Sequence, residues 1–179
     1  GNGAELGLPH LNYTYQKGEG GIAEALGLAR HFVGDDKMCV ILGDNILENS
    51  IAAEVAAYDK QETGARILLK EVPDPERFGV PAFDDDGRVS DIIEKPADPP
   101  SSYAVIGVYF YDATVFEIID GLKPSQRGEL EITDVNNHYL RRGTLRHGII
   151  EGWWTDAGTF DSLRRANELV KRTGANKPQ

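Results

Sequence analysis

The eight residues Met38–Asn45 (MCVILGDN) constrain the fold of this chain more than any other stretch. Five consecutive apolar residues end abruptly at Gly43, Asp44 and Asn45. An unbroken apolar run of this length, bounded by turn residues, is typical of a strand buried on both faces in a parallel sheet. Ligands of open α/β sheets bind at the carboxyl ends of such strands. Asp44 therefore has two interpretations, as a carboxylate at the mouth of a binding crevice or as a cap for the next helix.

Length, charge and cysteine content limit the classes of protein to which this chain can belong. The 179 residues suffice for one domain with a sizeable core, and we treat residues 1–179 as that domain. Acidic residues outnumber basic ones by 29 to 19, and the net charge of −10 argues against unspecific binding to nucleic acid or to an anionic membrane surface. The sequence contains no apolar run near the roughly 20 residues of a membrane helix. The single cysteine, Cys39, falls inside the predicted buried strand, which excludes an internal disulfide and predicts a reduced, cytoplasmic setting.

Hydrophobic periodicity predicts alternating strands and helices in the first half of the chain. The predicted strands are Leu8–Gln16, Met38–Leu42 and Ala65–Val72, and the predicted helices are Ile22–Val33 and Ile51–Glu62. This order favours a parallel sheet with right-handed crossovers.

The second half begins with a predicted hairpin and continues with a mixture of strands and helices. The hairpin pairs Phe78–Phe83 with Val89–Glu94; the further strands are Tyr103–Tyr111, Thr144–Ile150 and Gly152–Thr155, and the helices are Ala113–Asp120, Leu130–Arg142 and Phe160–Thr173. Gly174–Gln179 is expected to fray.

A glycine-rich turn precedes the first predicted helix. Gln16 is followed by Gly18, Gly20 and Gly21, and such a turn lets backbone N–H groups approach a ligand at the helix N-terminus. Gln16 carries a donor and an acceptor, as a residue that reads a base should. The alternative is a flexible turn without a ligand.

Two aspartates follow predicted strands far apart in the sequence. Asp44 ends the first, and Asp156 lies in the segment Trp153–Thr159 (WWTDAGT) before the last helix. Mg²⁺ prefers oxygen ligands and usually takes one or two protein carboxylates, with waters and phosphates completing its coordination. The pair therefore predicts a magnesium site, and the alternative for Asp156 is a helix cap.

The predicted hairpin carries two further candidates. In Glu94-Lys95-Pro96 the ammonium group could hold a phosphate while the carboxylate accepts hydrogen bonds from sugar hydroxyls. The alternative is an exposed ion pair. Gly79 could let the backbone approach a ligand, or it could simply permit a tight turn.

Taken together and in order, these motifs resemble the sugar-phosphate nucleotidylyltransferases. Within that family they most resemble the members that transfer thymidylate to glucose 1-phosphate. The resemblance covers essentially the whole chain and rests on the motifs around Gln16–Ala25, Leu42–Asn45, Arg77–Val80, Ile93–Pro96, Gly107–Tyr111, Gly128–Asp134 and Trp154–Thr159.

The resemblance implies an α/β fold of the GT-A, Rossmann-like kind, with a mixed, mainly parallel sheet flanked by helices. It implies transfer of a nucleoside monophosphate from a pyrimidine nucleoside triphosphate, dTTP or UTP, to a sugar 1-phosphate with release of pyrophosphate. The implied roles are catalysis by Asp44, Lys95 and Asp156, of which Asp44 and Asp156 hold Mg²⁺, and substrate binding by Gln16, Gly21, Gly79, Glu94, Lys95, Val105 and Tyr109. Gln16 and Gly21 would contact the base and the others the sugar phosphate.

One departure from the family pattern qualifies this expectation. Members begin with a strand and a glycine-rich signature, GGxGTRLxPxT, that grips the triphosphate, and this sequence contains no such stretch. We therefore expect an N-terminally truncated domain, the C-terminal two-thirds of the family's, that by itself does not catalyse transfer. Apolar surface left uncovered by the missing strand predicts a homo-oligomer.

Three alternatives remain open at this point. A uridylyl- or guanylyltransferase of the same superfamily would differ in few base contacts. A GT-A glycosyltransferase has less support, because Asp44-Asn45 is not a clear Asp-x-Asp motif. A non-catalytic module that binds a sugar phosphate or a nucleotide is favoured by the missing signature and opposed by Asp44, Lys95 and Asp156.

Overall fold

The computed structural model describes residues 3–173, which form six helices, eight strands and two short 3-10 turns. The helices are α1 (Ile22–Gly27), α2 (Arg30–Val33), α3 (Ala52–Asp59), α4 (Val115–Asp120), α5 (Ile132–Arg141) and α6 (Phe160–Thr173). The strands are β1 (Met38–Ile41), β2 (Asn45–Leu47), β3 (Ala65–Glu71), β4 (Gly79–Phe83), β5 (Val89–Glu94), β6 (Tyr103–Tyr111), β7 (Leu145–Ile149) and β8 (Trp154–Asp156). The expected frayed end, Gly174–Gln179, lies outside the described residues. Within residues 3–173, no helix has both the length and the apolar character required to cross a membrane.

A six-stranded sheet is organised around β6. Its path runs β5-β4-β6-β3-β7, and β1 also pairs with β6. Since β3 follows β6 along its whole length, β1 and β4 share the opposite edge of β6, β1 beside its last four residues and β4 beside Val105. The edge is therefore split between two strands, and a gap opens between the end of β1 and the start of β4.

The expected mixed α/β class with helices on the sheet is confirmed, but the balance of strand directions differs from the expectation. Among the described strands, only the β3–β7 pair is parallel, whereas β6 runs antiparallel to β1, β3 and β4. The β4–β5 hairpin and the separate β2–β8 pair are also antiparallel. The alternation of predicted strands and helices did not reveal these directions. The β4–β5 hairpin lies between β3 and β6 in the chain, and after it β6 runs antiparallel to β3.

The strand within Met38–Asn45 is not buried on both faces. β1 covers Met38–Ile41 and alternates between half-buried and exposed residues, with Ile41 54% exposed and Cys39 also exposed. Its one partner among the described strands is β6, so its other edge has no strand partner within residues 3–173. The doubly buried strand is β6 itself, in which every residue from Ala104 to Tyr111 is buried.

Two further sequence expectations are wrong. Leu8–Gln16 forms no strand and pairs with none of the described strands. The helix expected over Ile22–Val33 is interrupted by a turn at Leu28 and Ala29, after which α2 adds a single turn. Phe32, which falls on the apolar side of that predicted helix, is 61% exposed.

The core lies on both faces of the sheet. The larger cluster packs α1, α4 and α5 against one face through residues such as Ile67, Tyr111 and Val135. The smaller cluster packs Tyr58 of α3 against Phe110 and Leu68 on the other face. This double packing fixes β6, and with it the gap at its split edge.

Candidate active site

A cleft of about 340 Å³ opens at the split edge of β6, between the end of β1 and the start of β4. A volume of this size is within the range of small-molecule sites. Seven residues singled out from the sequence line it: Asp44, Gly79, Glu94, Lys95, Val105, Tyr109 and Asp156. The fold therefore brings together residues that lie up to 112 positions apart in the chain.

The two aspartates meet because β2 and β8 pair. Asn45 lies opposite Asp156 in this antiparallel pair, and the Ala157 N–H donates to the Asp44 carbonyl at 2.7 Å. A Cβ placed on Gly158 would lie 3.1 Å from Asp44 Oδ2 and 3.6 Å from Asp156 Oδ2, so both carboxylates face one point. The absence of a side chain at Gly158 keeps this point open.

The Asp156 carboxylate is only partly satisfied by protein donors. Its Oδ2 accepts hydrogen bonds from the Ser162 hydroxyl at 3.1 Å and from Arg77 at 3.4 Å. Its Oδ1 is buried and has no hydrogen-bond partner among the described residues, with Arg165 at 3.8 Å. A buried, unpaired carboxylate oxygen is unfavourable, and a cation would satisfy it.

Of the five carboxylates in the cleft wall, only those of Asp44 and Asp156 face the point beside Gly158. Within residues 3–173, no group of three or more His, Cys, Asp or Glu side chains is arranged to hold a metal. A site of this kind suits Mg²⁺, which keeps several waters and binds through one or two carboxylates together with substrate phosphates. The residues present therefore fit the ion that the sequence predicts.

Lys95 has a strained backbone at the edge of the cleft. Its φ of +44° is the one positive value outside glycine among residues 3–173, and the conformation is held by the Lys95 N–H, which donates to the Phe78 carbonyl at 2.9 Å. Such strain is concentrated at functional sites, where the surrounding structure fixes it. The strained turn holds the ammonium group of Lys95 at the cleft.

Glu94 is positioned by a neighbouring helix. The Thr133 hydroxyl of α5 donates to Glu94 Oε2 at 2.6 Å, and Glu94 lies opposite Gly79 in the β4–β5 hairpin. A Cβ on Gly79 would approach Thr133 Oγ1 at 3.1 Å, so glycine keeps space open beside this carboxylate. The Glu94 carboxylate is thus oriented before any ligand arrives.

The inner wall of the cleft is neutral. Val105 and Tyr109 of β6 are almost fully buried, with 8% and 4% of their surface exposed. Burial raises the pKa of Tyr109, and the negative charges of Glu94 and Asp44 add to that effect. The phenol therefore stays protonated and can donate a hydrogen bond in the cleft.

Sequence reasoning missed Arg127. Its guanidinium bonds to Glu131 at 2.9 Å and to Glu129 at 2.8 Å, and it lies 3.8 Å from Glu94. Burial raises the pKa of Glu131, but hydrogen bonds from Arg127 and Ser125 outweigh it and leave that pKa lowered. The cluster places a second positive charge next to Lys95 in the cleft, and no local pattern around Arg127 signals it.

Asn45 was also missed as a site residue, although it adjoins Asp44. Its Oδ1 accepts hydrogen bonds from the Gly107 N–H at 2.9 Å and from the Trp154 indole at 2.8 Å. Its amide nitrogen donates to Asp44 Oδ1 at 2.9 Å. A side chain on Gly107 of β6 would collide with Asn45, so the GDN sequence and this distant glycine together carried a signal.

Gln16 and Gly21 lie outside the cleft wall. The Gln16 amide donates to the Gly21 carbonyl at 3.1 Å and to Glu24 at 2.6 Å, which holds the glycine-rich turn against α1. Gly21, with φ +93°, packs so closely on Leu130 that a Cβ would lie 2.6 Å from the Leu130 carbonyl oxygen. Their neighbour Ile22 does line the cleft, and their assignment to a base stays a prediction.

Comparison with known proteins gives consistent matches. Residues 1–173 match the family described as Nucleotidyl transferase. A low-salt glycan biosynthesis nucleotidyltransferase from Haloferax volcanii is 42% identical over 95% of this chain and 48% of its own length. A glucose-1-phosphate thymidylyltransferase from Xanthomonas campestris is 42% identical over 96% of this chain and 59% of its own length. The chain thus spans about half to three-fifths of the length of these curated relatives.

Solved structures show the same fold. A crystal structure of a provisionally assigned glucose-1-phosphate thymidylyltransferase from Bacillus anthracis, in complex with sucrose, is 51% identical with a TM-score of 0.91. The match covers 100% of this chain and 71% of that one. A UDP-glucose pyrophosphorylase complexed with UDP-glucose shares the fold, with a TM-score of 0.80 at 24% identity over 90% of this chain and 66% of that one.

Proposed function

The chain belongs to the nucleotidyl transferase family, and from this premise we propose that its cleft is the sugar-phosphate and Mg²⁺ half of a sugar-1-phosphate nucleotidylyltransferase. The observation that carries the proposal is the convergence of Asp44, Asp156 and Lys95 on one cleft. We propose glucose 1-phosphate as the sugar and dTTP, or else UTP, as the nucleotide. The thymidylyltransferases among the relatives support that choice.

The cleft wall includes three cationic side chains, Arg77, Lys95 and Arg127, which would offset the charge of two anionic substrates. A phosphate oxygen of the sugar 1-phosphate attacks the α-phosphorus of the nucleotide, forming one O–P bond. The bond between the α-phosphorus and its bridging oxygen breaks, and pyrophosphate leaves with the electron pair. Such a transfer needs positioning and charge neutralisation rather than a protein nucleophile.

Four residues of the cleft would contact the sugar phosphate or the metal ion. Lys95 pairs with the sugar phosphate, while Glu94, oriented by Thr133, accepts hydrogen bonds from sugar hydroxyls. Asp44 and Asp156 would hold Mg²⁺ between their carboxylates, which both face the open point beside Gly158. When bound, the ion neutralises charge on the phosphates and orients them.

The metal assignment is tested by replacing one ligand. We expect Asp156→Asn to reduce the Mg²⁺-dependent kcat/KM by more than the roughly 10–100-fold that outer-shell changes cost, because a charged ligand is lost. The assay uses the protein expressed from its native gene with glucose 1-phosphate and dTTP or UTP. Asp161→Asn is the matched control, since Asp161 is 96% exposed in its side chain and outside the cleft. Equal activity of Asp156→Asn and the control would refute the metal role.

A polypeptide of these 179 residues expressed alone tests a narrower expectation. The sequence contains no match to the glycine-rich triphosphate signature, so we propose that this stretch binds glucose 1-phosphate without transferring a nucleotide. Calorimetry would measure binding, and release of pyrophosphate would measure transfer. Turnover by the isolated stretch would overturn this expectation and leave the assignment of the cleft standing.

A further inference from the structure

Asn136 is a cleft residue that the proposed roles do not use. It lies on α5, is 1% exposed and contributes to the cleft wall. Its amide nitrogen is buried and, among residues 3–173, has no hydrogen-bond partner. Buried polar groups in native proteins are nearly always paired, so an orphaned donor beside a ligand cleft requires an explanation.

The orientation of the Asn136 amide is fixed from behind by Tyr111. The Tyr111 hydroxyl lies 2.6 Å from Asn136 Oδ1 and is buried. Burial raises the pKa of Tyr111, so the phenol keeps its proton and donates it to Oδ1. Turning the amide over would leave both the Tyr111 proton and the amide oxygen unpaired, whereas the observed orientation leaves only the N–H₂ group unpaired.

The same face of α5 already serves the cleft. Thr133 precedes Asn136 by three residues, which places both on one side of the helix, and Thr133 holds Glu94 at 2.6 Å. The neighbouring wall is the buried phenol of Tyr109, whose ring stacks on Tyr111 with centroids 6.0 Å apart. Asn136 is therefore an uncharged donor set among residues assigned to the sugar.

We propose that the Asn136 amide donates a hydrogen bond to a ring hydroxyl of the sugar 1-phosphate and so selects sugars that carry a hydroxyl at that position. This inference rests on the proposed function, since it takes the cleft as the sugar site. A sugar that lacks the hydroxyl would leave the buried donor unpaired, and sites built on such a donor discriminate against that analogue.

The test compares glucose 1-phosphate with its 2-, 3-, 4- and 6-deoxy analogues as probes of the complete protein. We expect the analogue that lacks the hydroxyl bonded to Asn136 to bind the wild type roughly 3–10-fold more weakly than glucose 1-phosphate, because of the lost hydrogen bond. In Asn136→Asp, which keeps the acceptor for Tyr111 but loses the donor, the difference for that analogue should disappear, whereas a difference due to Glu94 should remain. Asn136→Leu should give the same loss of selectivity without an added charge.

Asn137→Asp is the matched control one residue along α5. Its amide donates to the Ile92 carbonyl at 2.7 Å and lies outside the cleft wall, so the variant should keep the wild-type order of analogues. If Asn136→Asp and Asn136→Leu also keep that order, the inference is overturned while the proposed function stands.

A spectroscopic measurement distinguishes the proposed hydrogen bond of Asn136 from the proposed nucleotidyl transfer. We expect glucose 1-phosphate to shift the side-chain ¹H–¹⁵N amide signals of Asn136 in a labelled sample. A shift without nucleotide transfer by the complete protein would support the inference and refute the proposed reaction. Binding that leaves these signals unchanged would refute the inference alone, and no binding of glucose 1-phosphate would refute both.

Discussion

Lys95 illustrates at the residue scale how function sets local conformation. A non-glycine residue in the left-handed region costs about 1–2 kcal/mol, and Lys95 adopts it with φ +44° directly after strand β5 ends at Glu94. The strain is tolerated because the Phe78 carbonyl accepts the Lys95 N–H and the β4–β5 pairing fixes its neighbour Glu94. The resulting turn holds an ammonium group at the cleft.

Replacing Lys95 should therefore separate stability from binding. Lys95→Gly relieves about 1–2 kcal/mol of strain and loses about 0.5–1 kcal/mol to the entropy of glycine, so we expect unfolding by denaturant to be unchanged or harder. The affinity for glucose 1-phosphate should fall about 10–100-fold, since a hydrogen bond to a charged group is worth about 1.5–3 kcal/mol. Lys95→Ala should lose the same affinity without the gain in stability. A Lys95→Gly variant with wild-type affinity would contradict the phosphate role.

Glu131 gives a prediction about pH. Its pKa is lowered in the folded protein, so its ionised form stabilises the fold fully above the ordinary value of 4.5, and this stabilisation is lost as the pH falls through the lower folded value. We expect Glu131→Gln to reduce the free energy of unfolding at pH 7 by about 1.5–3 kcal/mol, because Arg127 and Ser125 lose a charged acceptor. The difference from wild type should be constant above about pH 5 and shrink below it.

Urea unfolding across pH 3–8 would measure this difference. Glu129→Gln is the comparison, because Glu129 bonds to the same Arg127 but its side chain is 34% exposed. We expect a smaller loss of stability in Glu129→Gln. A gap between Glu131→Gln and wild type that widens toward acid would show that the sign of the argument is wrong.

At the scale of elements, α1 and α5 are joined through the glycine-rich turn. The Leu130 N–H donates to the Gly20 carbonyl at 2.8 Å, and the Ala23 N–H donates to the Leu130 carbonyl at 3.3 Å. Gly21 lies between these bonds with φ +93°. The start of α1 is therefore fixed to the segment that leads into α5, and α5 carries Thr133 into the cleft.

Gly21→Ala should disrupt this junction. The new Cβ would lie 2.6 Å from the Leu130 carbonyl oxygen, so overpacking of about 1–3 kcal/mol adds to about 1–2 kcal/mol of left-handed strain. Gly18→Ala in the same turn is the matched control, since φ is +83° but no atom lies within 4 Å of its Cβ. Thermal unfolding should show a clearly larger loss for Gly21→Ala; equal losses would mean that the Leu130 contact does not matter.

The helices and strands also show how much of the secondary structure the local sequence pattern predicts. The spacing of apolar and turn residues predicted the bounds of β3, β4, β5, β6 and α6 to within one or two residues. It failed for Leu8–Gln16, where alternation exists without a partner strand, and at Leu28, where the helical period continues through a turn. Hydrophobic periodicity indicates which face of a segment could be buried. Whether that segment pairs as a strand or is buried depends on which distant segment packs beside it.

At the scale of the whole molecule, several large apolar side chains remain exposed. Tyr15 is 82% exposed, Phe160 93%, Ile41 54% and Phe32 61%. Isolated exposed apolar residues are ordinary, but Ile41 lies on β1, whose second edge has no partner among the described strands. These features support the prediction that the chain forms a homo-oligomer.

Sedimentation of the 179-residue chain would test that prediction. We expect a species heavier than the 19.6 kDa monomer, in a concentration-dependent equilibrium. The variant Ile41→Lys adds a charge to the outward face of β1 and should shift the equilibrium toward monomer if that edge mediates association. A single monomeric species over the whole concentration range would refute the prediction.

The sequence by itself determined the α/β class and the order of most elements, and it singled out Asp44, Gly79, Glu94, Lys95 and Asp156 of the cleft wall. It could do so because apolar period, turn residues and carboxylates at strand ends are local properties of the chain. Val105 and Tyr109 came from the family resemblance alone. The tertiary structure decided the antiparallel direction of β6 against its neighbours, the exposure of Cys39 and the partners of Asn45, Arg127 and Asn136. These depend on contacts between segments far apart in sequence, because a side chain's hydrogen-bond partners and burial are set only when those segments pack together.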